Sequence, residues 1–154
     1  MAFLPEQDQQ ALREKFATEM QADVRLHFFT MTAPVLVLPG QAQPEHDYQY
    51  LRQAQELMQE VTALSPKLSL DVHDIRSDTA VAREYRIDKV PALVVQVKDT
   101  GLRFFGLPAG YEFSTFIQDV IDLSTGNIQL SEETQTFLRG LEQDVHLQVF
   151  VTPT

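Results

Sequence analysis

A chain of 154 residues can bury one compact core and is too short for two ordinary domains. Its 44 % hydrophobic and 22 % charged composition excludes disorder, and a net charge of -10 with scattered cations argues against a nucleic-acid partner. No apolar run approaches the roughly 20 residues that span a bilayer, and the chain contains no cysteine, so it cannot run thiol-disulfide exchange on its own.

The first residues, 1–10, lack the basic end and apolar stretch of a secretory signal, which sets the expected location as cytoplasmic. In 6–20, Leu12, Phe16 and Met20 recur four apart and predict a helix, with Pro5 suited to its first turn. Val24, Leu26 and Phe28 then alternate with Arg25 and His27, the period of a strand with one buried face. Residues 31–47 contain the apolar stretch 35–38 between Pro34 and Pro39-Gly40, readable as a short strand or as a hydrophobic loop. From Asp47, read as a cap, Leu51, Ala54, Leu57, Met58, Val61 and Leu64 share one face of a helix that ends before Pro66.

A second strand is expected at 68–72, and a short helix at 78–85 that packs Ala80, Val81 and Tyr85 inward. After Val90-Pro91, the consecutive apolar residues of 92–97 suit a strand covered on both faces. Residues 98–101 turn, and 102–105 return as an antiparallel partner. A helix at 112–123 offers Phe113, Phe116, Ile117, Val120 and Ile121 to the core. This order predicts an α/β domain over 1–123, a mixed sheet flanked by helices.

A connector at 124–130 leads to residues 131–154, which repeat the start. Phe137, Leu141, Asp144, Val145 and Leu147 fall 121 positions after Phe16, Met20, Asp23, Val24 and Leu26. The tail therefore reads as an incomplete second unit, a helix followed by a strand. Such a strand, with Val145, Leu147, Val149 and Val151 on one face, would expose apolar surface and unpaired backbone. It is expected to join the edge of its own sheet, or to pair with the same strand of another chain in a homodimer.

Several runs carry a family resemblance: Tyr85-Arg86-Ile87-Asp88, Val90-Pro91-Ala92, the run from Arg103 through Gly106-Leu107-Pro108-Ala109-Gly110 to Phe113, and Gln143-Asp144-Val145 leading into the last six residues. Together with the order of elements, they resemble the protein disulfide oxidoreductases, glutaredoxin-like proteins built from two thioredoxin-like units. The resemblance implies a thioredoxin-like fold, with a cis proline at Pro91 before the third strand. Counted back from Lys67-Leu68-Ser69, it also places the first unit's C-x-x-C on Tyr48-Gln49-Tyr50-Leu51, and the second unit's immediately after Thr154. Both sulfur positions of the first unit thus hold other residues, and phenols, with a pKa near ~10, cannot form a mixed disulfide.

No catalytic residue, cofactor or metal is expected. Glu45-His46-Asp47 and His73-Asp74 contain ligand types without a spacing that gathers three or four around an ion. His27 and His146 both fall in the strands expected of the two copies, which suggests a shared solvent-side or partly buried role. Ser65, Ser69 and Ser77 lack a nucleophile signature, and Pro108 spoils the 106–110 run as a phosphate loop. Tyr48, Tyr50, Leu51, Val90 and Pro91 are the candidate lining of a peptide-binding groove, although the tyrosines read more readily as packing over a helix end, and Val90-Pro91 equally as a structural turn. The sequence thus supports a redox-inactive thioredoxin-like module that binds a protein or peptide, or serves in an assembly. Its rival is the front part of a two-unit oxidoreductase that stops just before its C-terminal C-x-x-C.

Overall fold

The computed structural model describes residues 3–32, 45–97, 100–127 and 130–150. The expected order of elements forms through most of the chain. It runs α1 (Glu6–Glu19), β1 (Val24–Thr30), α2 (Glu45–Thr62), β2 (Leu68–Asp74), α3 (Thr79–Glu84), β3 (Ala92–Val97), β4 (Thr100–Phe105), α4 (Tyr111–Thr125) and α5 (Glu132–Arg139). The four strands make one sheet in the order β2-β1-β3-β4, parallel between β1 and β2 and antiparallel elsewhere. The 35–38 stretch and residues 98–99 of the expected turn lie outside the described residues, and β4 begins at Thr100, inside that turn.

The main core fills one face of the sheet. Phe16 from α1 and Met20 at its C-terminal cap, Ala54, Met58 and Val61 from α2, and Phe116, Ile117 and Val120 from α4 close over Val24, Leu26, Phe28, Leu93 and Val95. Three amphipathic helices with their apolar faces turned to one sheet face exclude water from it, which is the main favourable term of the fold. The other face carries a smaller cluster of Phe29, Ala82, Ile87, Ala92 and Val94, covered by the six-residue α3 and the residues after it.

That second cover corrects the reading of β1 as a strand with one buried face. Of its seven residues only Arg25 is exposed, because α3 covers the side that alternation assigned to solvent and buries His27 and Phe29. Within α3 the buried position is Ala82, and Ala80 points to solvent. Asp47 is not the cap of α2. The helix already begins at Glu45, so Asp47 is its third residue.

A helix forms where one was expected after the connector, α5, capped by Ser131, whose hydroxyl accepts the Thr134 N–H at 3.2 Å. The predicted strand after it does not form: residues 145–150 carry no ladder, and Leu147 and Val149 are each 85 % exposed. A lone strand needs a partner edge, and none of the described strands pairs with it.

A single carboxylate fastens the N-terminus to α2. Glu60 accepts the Phe3 N–H at 2.8 Å, the Leu4 N–H at 3.1 Å and the Gln9 side-chain amide at 3.0 Å. Glu60→Ala is expected to cost about 1–2 kcal/mol, within the range for hydrogen bonds to a charged group. In hydrogen exchange the first turn of α1 should lose protection while α4 keeps it. Uniform loss across the fold would contradict a local clamp.

Candidate functional site

Leu51 is a core residue, 4 % exposed on the buried side of α2, and lines no groove. Tyr48 and Tyr50 diverge from it. Because α2 starts at Glu45, Tyr48 lies one turn inside the helix rather than at its mouth, and its hydroxyl accepts from Arg76 Nη2 at 3.5 Å. Tyr50 is 42 % exposed, and its hydroxyl accepts the Leu107 N–H at 3.1 Å. The preceding amide, Gly106 N–H, donates to the Pro91 carbonyl at 2.9 Å.

Two neighbouring amides of the 106–107 turn therefore tie Tyr50 and Pro91 to one place, while Tyr48 leans toward the β2–α3 loop. The Val90-Pro91 bond is cis, as the resemblance implied. Pro91 is buried with its carbonyl engaged, whereas among the described residues no backbone hydrogen bond engages Val90. The five candidate residues form a partly filled surface: two tyrosines held by their hydroxyls, one core leucine, a buried proline whose carbonyl is engaged, and Val90, whose backbone no hydrogen bond engages among the described residues.

Sequence reasoning missed a partly buried polar chain on the α3 face. The phenol of Tyr85 donates to Gln96 Oε1 at 2.8 Å, so toward His27 Nε2, 3.1 Å away, its oxygen is the acceptor. His27 therefore carries its proton on Nε2 and presents a bare Nδ1, which accepts from His73 Nε2 at 3.1 Å. The two imidazoles stack, with centroids 5.3 Å apart, and Phe29 lies against His73 with centroids 5.0 Å apart. The signal was present in alternation along β1 and β2, which puts His27 and His73 on one face. Only the strand register brings them into contact. Among the described residues, no three His, Asp or Glu side chains are placed to share a metal ion.

Burial holds the His27 pKa below its ordinary value near 6.5; the nearby Asp71 carboxylate opposes this, while His73 and Arg25 add to it. Burial also raises the Tyr85 phenol, with Glu84 adding to the effect. The unfolded chain thus takes up a proton on His27 at a higher pH than the folded chain does. The stability that comes from keeping this histidine neutral is complete above about pH 6.5 and is lost as the pH falls through the lowered folded value. The expected result is a urea midpoint that drops between pH 7.5 and 5.5, with a shallower drop in His27→Asn. Equal slopes for the two proteins would refute the assignment.

A mixed four-stranded sheet in this order, with helices on both faces and a cis proline leading into the third strand, defines a thioredoxin-like domain. Solved structures agree. A protein disulfide oxidoreductase from Aeropyrum pernix K1 superposes with a TM-score of 0.72 at 24 % identity, covering 92 % of this chain and 56 % of that one. The alkyl hydroperoxide reductase component AhpF of Enterococcus faecalis gives a TM-score of 0.71 at 20 % identity, covering 91 % and 62 %.

In sequence the chain is similar to the same reductase component of Xanthomonas campestris, 28 % identical over 99 residues, and of Staphylococcus aureus, 24 % identical over 105. It spans 17 % and 18 % of those relatives' lengths. No family model matches.

Proposed function

We propose that this thioredoxin-like domain has no redox chemistry of its own and works by binding, holding a protein or peptide segment at the surface formed by Tyr48, Tyr50, Val90 and Pro91 above the core residue Leu51. The observation that carries this reading is the replacement of sulfur. The positions that the resemblance gives to cysteine hold Tyr48 and Leu51, and the whole chain contains no thiol to attack a disulfide. The backbone groups of Val90, which no hydrogen bond engages among the described residues, suit main-chain pairing with an extended segment. Among the described residues no helix is long and apolar enough to cross a membrane, and a cytoplasmic location belongs to the same reading.

The test uses a carboxymethylated, permanently unfolded polypeptide, titrated against the chain by calorimetry. Binding that weakens in Tyr50→Ala, together with no reduction of insulin by thiol-free material, supports the reading. Disulfide reduction by such material, or binding indifferent to Tyr50, overturns it.

A second reading, the front of a two-unit oxidoreductase, draws support from the tail. Phe16, Met20, Val24 and Leu26 are between 0 % and 3 % exposed, whereas their counterparts Phe137, Leu141, Val145 and Leu147 are 69 %, 40 %, 59 % and 85 % exposed. Core residue types without a core suit a unit completed by other residues. Coding sequence that continues in frame past Thr154 into a C-x-x-C would establish this reading. A homodimer through Val145, Leu147, Val149 and Val151 is the other way to cover the tail, although Val151 lies outside the described residues.

A further inference from the structure

The sheet ends on β4, whose outer side pairs with no strand among the described residues. A cavity of about 870 Å³ lies along its α3 side and one of about 340 Å³ along its α4 side, with Arg103 and Phe105 bordering both. The two differ in chemistry. The larger gathers Arg83, Arg86, Lys89 and Arg103 around a single carboxylate, Asp88, in a chain with only twelve Lys and Arg and a net charge of -10. Among the described residues no carboxylate pairs with any of the four; Lys89 lies 5.2 Å from the Phe105 ring centre, and Arg103 donates to the Tyr85 carbonyl at 3.1 Å. The smaller is lined by Phe104, Pro108 and the stem of Arg103, beside Glu112.

The tail has the complementary pattern. From 141 to 150 it contains no Lys or Arg, it is exposed throughout, and it forms no ladder of its own. Extended, it would turn Glu142, Asp144, His146 and Gln148 to one side and Val145, Leu147 and Val149 to the other. Laid along β4, the acidic side faces the four cations and the apolar side faces Phe104 and Pro108. The opposite sheet edge, β2, carries Asp71 and Asp74 and no Lys or Arg, and so lacks the charge that would match the same segment.

We infer that the tail of one copy adds as a fifth strand to β4 of a second copy, its acidic side in the basic cavity and its valines and leucine over the apolar one. This keeps the second copy of the homodimer reading above and replaces its tail-to-tail pairing with β4 as the receiving edge. Reciprocal exchange closes the pair, and one-way exchange builds an open chain. Main-chain hydrogen bonds to an edge strand supply affinity, and the alternating side chains supply register.

The test is a charge swap on the full chain, read by sedimentation velocity, with folding of each variant confirmed by far-UV circular dichroism. The wild-type chain associates as concentration rises, and amides of β4 and 145–150 gain exchange protection together. Arg83→Glu with Lys89→Glu weakens association about tenfold or more, and so does Glu142→Lys with Asp144→Lys. Combining all four substitutions restores it. A strict monomer at the highest soluble concentration overturns the inference, as do four substitutions without rescue, and so does a monomer whose tail amides are protected by its own sheet. Competition by a single-stranded oligonucleotide in place of tail exchange would assign the basic cavity elsewhere and also overturns it. Failure here leaves binding at Tyr50 untouched, because the unfolded-polypeptide titration reads that surface separately.

Discussion

Phe116→Ala is expected to remove about 3–5 kcal/mol of stability, enough to leave a domain of ordinary stability (about 5–15 kcal/mol) near or past its unfolding threshold. The ring is wholly buried in α4, where it meets Phe104 edge-on at 5.8 Å and 87° and touches Phe113 at 6.3 Å. It joins the helix to β4 through the aromatic pair and to the rest of the core through Phe16, Ile117 and Val120. Alanine loses the transfer free energy of the ring and leaves a cavity that α1 and α4 cannot both collapse into. Urea denaturation checks the magnitude. A loss under about 1 kcal/mol would mean that this site is not close-packed. Phe116→Leu, which keeps most of the volume, should cost markedly less.

Periodicity in the sequence was sufficient where one face decides burial: the four-residue recurrence of Leu12, Phe16 and Met20 and the apolar stripe from Leu51 to Val61 both became core faces. It failed on β1, because whether His27 is wet depends on α3 docking over it, and α3 is separated from β1 in the chain by α2 and β2. It failed on the tail for a related reason. Alternation specifies which side of a strand is apolar, but a strand exists only where an edge is offered to it. Asp47 was misread because a cap is defined by where helical backbone begins, and Glu45 already satisfies that.

Of the candidate site, the cis proline and the lack of sulfur were legible, one from the resemblance and the other from composition. The geometry was not. Nothing in the order Tyr48-Gln49-Tyr50-Leu51 says that Tyr50 reaches Leu107, 57 residues away, or that Leu51 turns into the core. The basic cavity was equally hidden. Arg83, Arg86 and Lys89 are three apart in sequence, but Arg103 joins them only because the register places it in one row with Val94, His27 and Asp71.

The next row on the same face, Phe105, Ala92, Phe29 and His73, explains why Phe29→Ala should act twice. Phe29 is wholly buried beneath the polar chain, 5.0 Å from the His73 ring and 6.0 Å from the Tyr85 ring, and it anchors the small cluster that α3 covers. Its loss should cost about 3–5 kcal/mol, as for any buried aromatic. Unlike the cavity at Phe116, this one opens beside hydrogen-bonding groups and under a single short helix, so it suits water rather than collapse. Water there would weaken the desolvation that is the leading cause of the lowered His27 pKa, moving that value back toward 6.5. The measurement is a proton NMR titration of the His27 ring in both proteins, alongside urea denaturation. A large stability loss with an unmoved His27 titration would show that burial by α3, and not by Phe29, keeps this histidine neutral, and the Phe29 account of the site would fall.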